Sequence, residues 1–213
     1  MHPYLVELSS LMAVFAFAIV SPGADLAMVI RQSMTHGRRE AILTSFGIGT
    51  ALMLHVSYTI LGLGLIISQS IYLFNIVKWC GVAYLLYIGF KALRAGRTEI
   101  EAYAPEAGEA PKRQSAMKAF GLGFAVNALN PKPVFFFLSI FSVMIGAHTP
   151  ASIKFGYGLV MASCLIVWFV GVSFFLTTPR MRAAFSRASK LADRVSGVVF
   201  ISLGLRLAIQ KAG

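Results

Sequence analysis

The chain has 213 residues, 57% of them hydrophobic and 13% charged, and its mean hydropathy is +0.75. Soluble domains are about a quarter charged and under half apolar, so this composition excludes an ordinary soluble domain and points to lipid as the solvent. The formal net charge of +11 would suggest nucleic acid in a soluble protein, but the placement of the basic residues gives a better account of it.

A membrane span needs roughly 20 apolar residues. Six helical spans are predicted in chain order, at about 5–30, 41–66, 72–94, 118–146, 153–178 and 192–210. Met1 to Ser10 lacks a basic n-region and the first apolar run continues to Arg31, so it reads as a span and not as a cleavable signal. From Ala41 to Val77 there is no Asp, Glu, Lys or Arg, which supplies most of two spans. The third and sixth spans are weaker, because Lys78 lies in one and Arg206 in the other. Between the third and fourth lies a segment, 95–116, rich in Ala, Gly, Pro and Glu and too polar to bury. It is expected to be a mobile cytoplasmic linker with solvated glutamates. The resulting organisation is 1–94 (spans one to three), 95–116 (linker) and 117–213 (spans four to six). Pro150 and Pro179 stand at helix ends, as punctuation.

The basic residues sort by loop. Arg31, Arg38 and Arg39 follow span one; Lys91, Arg94, Arg97, Lys112, Arg113 and Lys118 surround the linker; Arg180, Arg182, Arg187, Lys190 and Arg194 follow span five. These make 14 of the 19 Lys and Arg residues. The positive-inside rule makes those three loops cytoplasmic and both termini extracytoplasmic. The charge therefore orients the protein, and nucleic acid is rejected as a partner.

The chain also repeats itself at an offset of about 109 residues. Phe46-Gly47-Ile48-Gly49 recurs as Phe155-Gly156-Tyr157-Gly158, and Ser21-Pro22-Gly23 is answered by Asn130-Pro131-Lys132. Further on, at a larger offset, Gly81-Val82-Ala83-Tyr84 and Gly89-Phe90-Lys91-Ala92-Leu93 echo Gly197-Val198-Val199-Phe200 and Gly204-Leu205-Arg206-Leu207-Ala208, with one residue lost. Each copy holds three spans, and an odd number inserts the second copy upside down. The expected fold is all-α: a polytopic membrane protein of six helices in two inverted three-helix repeats. Helix breaks at matching positions of inverted repeats mark secondary transporters, with the site at the repeat interface.

Pro22 and Pro131 fall inside apolar runs. A proline there lacks the N–H its turn needs and frees a carbonyl four residues back, which lipid cannot satisfy. Gly23 loosens the first break, and Pro133 is expected to double the second. Asp25 is the only acidic residue inside an apolar run, where a central carboxylate costs about 2.5–3.5 kcal/mol. It can bind a substrate ammonium or take up a coupling proton; the plainer alternative is pairing at the cytoplasmic interface. Lys132, beside the second break, suits an anionic group, with Asn127 and Asn130 adding amide contacts; the plainer alternative is a structural pair with Asp25. His55, deep in span two, is a candidate proton relay or simply a hydrogen-bonded imidazole. Gly47, Gly49, Gly156 and Gly158 are expected to let helices approach closely near the site. Ser21 completes the transport-path set.

Cys80 and Cys164 lie singly in apolar spans and read as packed, inert thiols, with no zinc or disulfide framework and no cofactor expected. Their positions in the two copies do not correspond, which argues against a thiol–disulfide electron carrier. A divalent metal exporter would need clustered oxygen or sulfur ligands, and one carboxylate near a lysine is poor for that.

Together, Ser21-Pro22-Gly23-x-Asp25, Phe46-Gly47-x-Gly49, Tyr84-Leu85-Leu86-Tyr87-Ile88-Gly89-Phe90-Lys91-Ala92-Leu93 and Asn130-Pro131-Lys132 followed by Phe135-Phe136-Phe137-Leu138 resemble the bacterial L-lysine exporter (LysE/RhtB) family over essentially the whole chain. Two departures are Ala24, where the family has a second proline, and Phe141-Ser142-Val143-Met144 in place of a Gln-Phe pair. The resemblance implies a transporter and not an enzyme, exporting amino acids or their derivatives across the bacterial inner membrane with coupling to proton entry. It leaves room for a homodimer.

Overall fold

A computed structural model describes residues 3–69, 71–95, 114–146, 148–175 and 179–209. These residues form eight helices: α1 (Pro3–Val20), α2 (Ala24–Thr35), α3 (Arg38–Gln69), α4 (Ile71–Arg94), α5 (Ala116–Ala128), α6 (Pro131–Met144), α7 (Ala151–Phe175) and α8 (Pro179–Ile209). No strand occurs among the described residues. The expected linker lies, from 96 to 113, outside the described residues.

Helix ends follow local chemistry. Gly37 has a φ of 105° and caps α2, its N–H and that of His36 both donating to the Gln32 carbonyl at 3.1 and 2.9 Å. Ser115 caps α5 and accepts from the Lys118 N–H at 3.3 Å. The predicted fourth span divides into α5 and α6, bent by 57° across the break. The first divides at Ser21–Gly23 into α1 and α2. Pro133 adds no second break, because it falls in the first turn of α6, where its missing N–H has no intrahelical acceptor anyway.

Among the described residues, three helical stretches are long and apolar enough to cross a membrane: Pro3–Val20, Arg38–Gly62 and Ala151–Phe175. The bent α5–α6 pair makes a fourth if counted as one span.

The helices cross where side chains are smallest. α3 runs parallel to α5, with the Thr44 hydroxyl donating to the Ala119 carbonyl at 3.0 Å. A Cβ on Gly47 would run into the backbone of Phe120, and one on Gly123 into the backbone of Thr44. α3 runs antiparallel to α7, where a Cβ on Gly158 would meet Val56 at 2.7 Å and one on Gly49 would overlap Ile166. α4 and α8 cross antiparallel through Gly89 and Gly197; a Cβ on Gly197 would stand 2.8 Å from the Gly89 carbonyl. Gly156 differs from its expected role, since no atom lies within 4 Å of where its Cβ would be.

The core gathers Leu11 and Phe15 of α1, Ile48 and Leu52 of α3, Phe136, Phe137 and Ile140 of α6, Met161 and Leu165 of α7 and Phe200 of α8. Of the three phenylalanines at 135–137, two are therefore core, and Phe135 stacks on Tyr84 with ring centroids 4.5 Å apart. Cys80 is exposed on α4 and Cys164 is half-buried, so the first thiol is not packed as expected. Glu7, near the start of α1, accepts from the Gly146 N–H at 2.9 Å, the Thr149 hydroxyl at 2.9 Å and the Tyr157 hydroxyl at 3.0 Å. This one carboxylate ties the first turns of α1 to the α6–α7 connection.

Candidate functional site

The two helix breaks place the site. In an α-helix each N–H donates to the carbonyl four residues back. Pro22 has no N–H, so the Ala18 carbonyl is left without its helical donor; Pro131 does the same to Asn127. The structure supplies a replacement for each from the other half of the chain. The Lys132 ammonium donates to the Ala18 carbonyl at 3.3 Å. The His55 Nε2–H points at the Asn127 carbonyl at 3.0 Å, beside the Asn130 N–H, which also donates to it at 3.0 Å. The other ring nitrogen of His55 is engaged by the Tyr58 hydroxyl. Both imidazole nitrogens are thus used, one to hold a broken turn and one to fix the tautomer.

Between the breaks lies a cavity with about 520 Å³ of space not filled by atoms, counting its mouth. Its polar wall is Ser21, Asp25, Asn127, Asn130 and Lys132, with Gly23 opening the backbone; its apolar wall includes Phe15, Leu52, Phe137, Leu165 and Phe169. Small-molecule sites likewise pair apolar walls with a few fixed polar groups.

Asp25 sits in the first turn of α2, where the helix dipole favours a carboxylate. Its Oδ2 accepts from the Asn127 amide at 2.9 Å. Its Oδ1 is buried with no hydrogen-bond partner, and so is the Oδ1 of Asn127. Two residues of the cavity wall, hydrogen-bonded to each other, thus each carry an orphaned buried acceptor. Lys132 belongs to the first turn of α6, which Asn130 caps by accepting the Lys132 N–H at 3.0 Å. A cation is out of place at a helix N-terminus. Besides the Ala18 carbonyl, its ammonium has the Phe200 ring 5.6 Å away and lies within electrostatic reach of Asp25 and Asp193.

A family model, that of the LysE type translocators, matches residues 16–211. The chain belongs to that family. Among relatives of this translocator, the threonine efflux protein of Escherichia coli is 29% identical over 196 residues, covering 91% of this chain and 93% of the relative. The uncharacterized membrane protein YahN of Escherichia coli is 32% identical, with 91% and 85% covered. The homoserine/homoserine lactone efflux protein of Salmonella typhimurium is 28% identical, with 89% of each chain covered. No solved structure matches. The family is one of transporters, so this protein is a membrane transporter and not an enzyme.

Of the residues expected to form the translocator's path, Ser21, Gly23, Asp25, Asn127, Asn130 and Lys132 come together around one cavity. Pro22 and Pro131 make the breaks without lining it, and His55 acts behind Asn127. Asp25 and Lys132 share the cavity wall, but the contact made by each is with another group, Asn127 and Ala18 respectively. Sequence reasoning missed Asp193, which hydropathy alone put at the edge of span six. It is 5% exposed in the middle of the unbroken α8, and its Oδ1 accepts from the Ser21 hydroxyl at 3.3 Å. A signal for it was present. Ser189, Asp193, Ser196, Phe200, Leu203 and Leu207 are all buried and recur at helical spacing, so Asp193 continues an apolar stripe.

Proposed function

We propose that this protein exports amino acids or their close derivatives from the bacterial cytoplasm, with the cavity between the two broken helices as the substrate site. The observation that carries this reading is the pair of orphaned acceptors, Asp25 Oδ1 and Asn127 Oδ1, on two residues that line a cavity whose other charged residue is Lys132. Buried acceptors are costly unless a donor meets them. An ammonium carries three donors and a positive charge, which suits this pair, while Lys132 suits a carboxylate. A zwitterion supplies both. The Ala18 carbonyl freed by Pro22 is already taken by Lys132. The names of the relatives point the same way, since two are efflux proteins for threonine and for homoserine or its lactone.

The transport mode is read as alternating access of two inverted repeats, 1–94 and 117–213, in six spans, the first and fourth broken. Three features support it. Ala18 and Asn127, the carbonyls stripped by the two prolines, stand at the repeat offset of 109. The second glycines of the two Phe-Gly-x-Gly motifs both pack at the antiparallel α3–α7 crossing. α4 and α8, the third span of each copy, cross antiparallel through Gly89 and Gly197. The basic loops place the cytoplasmic face and leave both termini extracytoplasmic. Export is proposed to be driven by proton entry. The alternative reading is a divalent metal-ion exporter.

The test is efflux of preloaded labelled threonine, homoserine and lysine from cells producing the protein, with and without a proton uncoupler. Faster, uncoupler-sensitive loss of at least one of them is expected, and Asp25→Asn should abolish it while the protein still inserts. Unchanged retention of every amino acid would sink the reading.

A further inference from the structure

The membrane part of this protein holds a second carboxylate that takes no place on the cavity wall. Asp193 is 5% exposed, yet it is absent from the lining to which Asp25 and Lys132 belong. Its Oδ1 accepts from the Ser21 hydroxyl at 3.3 Å, and one turn further along α8 the Ser196 hydroxyl donates to the Phe17 carbonyl at 2.8 Å. Both contacts fall on the broken end of α1, so α8 is clasped to that break beside the carbonyl that holds Lys132.

The charged surroundings of Asp193 are simple. From α6 it faces Lys132, which lies within its electrostatic reach. At the break after α1 it meets the Ser21 hydroxyl, while the Phe17 carbonyl is met by Ser196. Among the described side chains, Lys91 and Arg94 of α4 and Lys190, Arg194 and Arg206 of α8 are exposed, and Lys78 of α4 is half-buried. Lys132 therefore lies within electrostatic reach of two carboxylates, Asp25 on the cavity wall and Asp193 outside the lining.

Charge counting then separates the two. With all three groups ionised the constellation carries one excess negative charge, and a bound zwitterion leaves that excess unchanged. An unbalanced buried charge is costly in a low-dielectric interior. One proton restores balance. Asp25 lines the cavity, whereas Asp193 lies outside that lining and is hydrogen-bonded to Ser21.

We propose that Asp193 is the proton-coupling carboxylate of this transporter, dividing the work with Asp25, which binds the substrate ammonium. A proton taken up by the Asp193 carboxylate cancels its pull on Lys132 and leaves the ammonium to the Ala18 carbonyl and the substrate side. When the proton departs, that pull is restored, and the clasp between α8 and the broken end of α1 changes with it. The inference rests on the amino-acid export reading and adds to it where the driving charge is carried.

The experiment uses the purified full-length protein in proteoliposomes, with labelled threonine and homoserine as probes. Two activities are measured: counterflow, the exchange of labelled for unlabelled amino acid without a pH gradient, and uptake driven by an acidic interior. The wild type is expected to show both. Asp193→Asn should keep counterflow and lose acid-driven uptake, whereas Asp25→Asn should lose both. Asp193→Glu, which keeps a titratable group one methylene further out, should retain acid-driven uptake with a displaced pH profile; it also carries the test if the asparagine variant does not fold. Acid-driven uptake surviving in Asp193→Asn, or loss of counterflow along with it in a folded variant, would overturn the assignment of Asp193 alone. A wild type without counterflow would remove the export reading, and this inference with it.

Discussion

The ammonium of Lys132 lies 3.3 Å from the carbonyl oxygen of Ala18, the carbonyl that Pro22 deprives of its helical donor. The pairing joins the two helix breaks: the residue after Pro131 repairs the damage done by Pro22. In the opposite sense His55, from the first half of the chain, serves the carbonyl that Pro131 strips at Asn127. The breaks are therefore one structural unit, held by donors exchanged between the halves. Anything that moves one break is felt at the other.

Replacing Pro22 by Ala would give residue 22 an N–H for the Ala18 carbonyl and set it in competition with Lys132. The helix is expected to close across the break, with thermal stability in detergent unchanged or raised and transport reduced by about tenfold or more, the equivalent of ~1.4 kcal/mol. Lys132→Met has the opposite signature. It orphans a buried acceptor and removes the cation between two carboxylates, so a loss of about 1–3 kcal/mol in stability should accompany the loss of transport.

Asn127 lines the cavity, holds Asp25 by a 2.9 Å hydrogen bond and has its own side-chain oxygen buried without a partner. Hydrogen bonds to charged groups contribute about 1.5–3 kcal/mol. Asn127→Ala should therefore raise the half-saturating amino-acid concentration in counterflow by roughly 10–100-fold, since 1.4 kcal/mol is a factor of ten. An unchanged value would show that the Asp25–Asn127 pair does not meet the substrate.

His55 has both nitrogens committed, to Asn127 and to Tyr58. The expected consequence is a supporting role: His55→Ala should lower stability by about 1–3 kcal/mol through the lost donor. His55→Gln, whose amide can still donate, should recover most of it and keep transport driven by a pH gradient. Uncoupled transport in a stable His55→Gln protein would show instead that the imidazole carries protons.

The glycines give a paired comparison. A Cβ at Gly47 would collide with the Phe120 backbone, which cannot swing aside, while Gly156 has open space. Gly47→Ala should cost about 1–3 kcal/mol, as overpacking does. Gly156→Ala should be neutral or slightly stabilising because alanine is the better helix former. Melting of the two variants in the same detergent decides the matter.

Much of this was legible in the chain because membrane helices advertise themselves by composition. Hydropathy located the helices, and the prolines inside apolar runs announced α1–α2 and α5–α6, since a missing N–H has the same consequence wherever it falls. Asp25 and Lys132 stood out as charges where charge is costly. Asp193 did not, because its neighbours Lys190 and Arg194 made the segment look like a boundary. Only the unbroken α8 put it on the buried stripe. Gly47 and Gly156 occupy equivalent types of position in the repeated motif, yet only one of them meets a neighbour.

The sequence by itself determined that the chain is a helical membrane protein, where its helices break and which polar groups had to find partners. It did so through local rules: apolar run length, the missing proline N–H and the cost of a buried charge act on a residue whatever surrounds it. Tertiary structure alone decided who those partners are. That Lys132 answers Pro22, that His55 answers Pro131, and that a second carboxylate waits behind Lys132 depend on helices far apart in sequence arriving at one place. No local rule encodes the depth, rotation and crossing angle that bring them there.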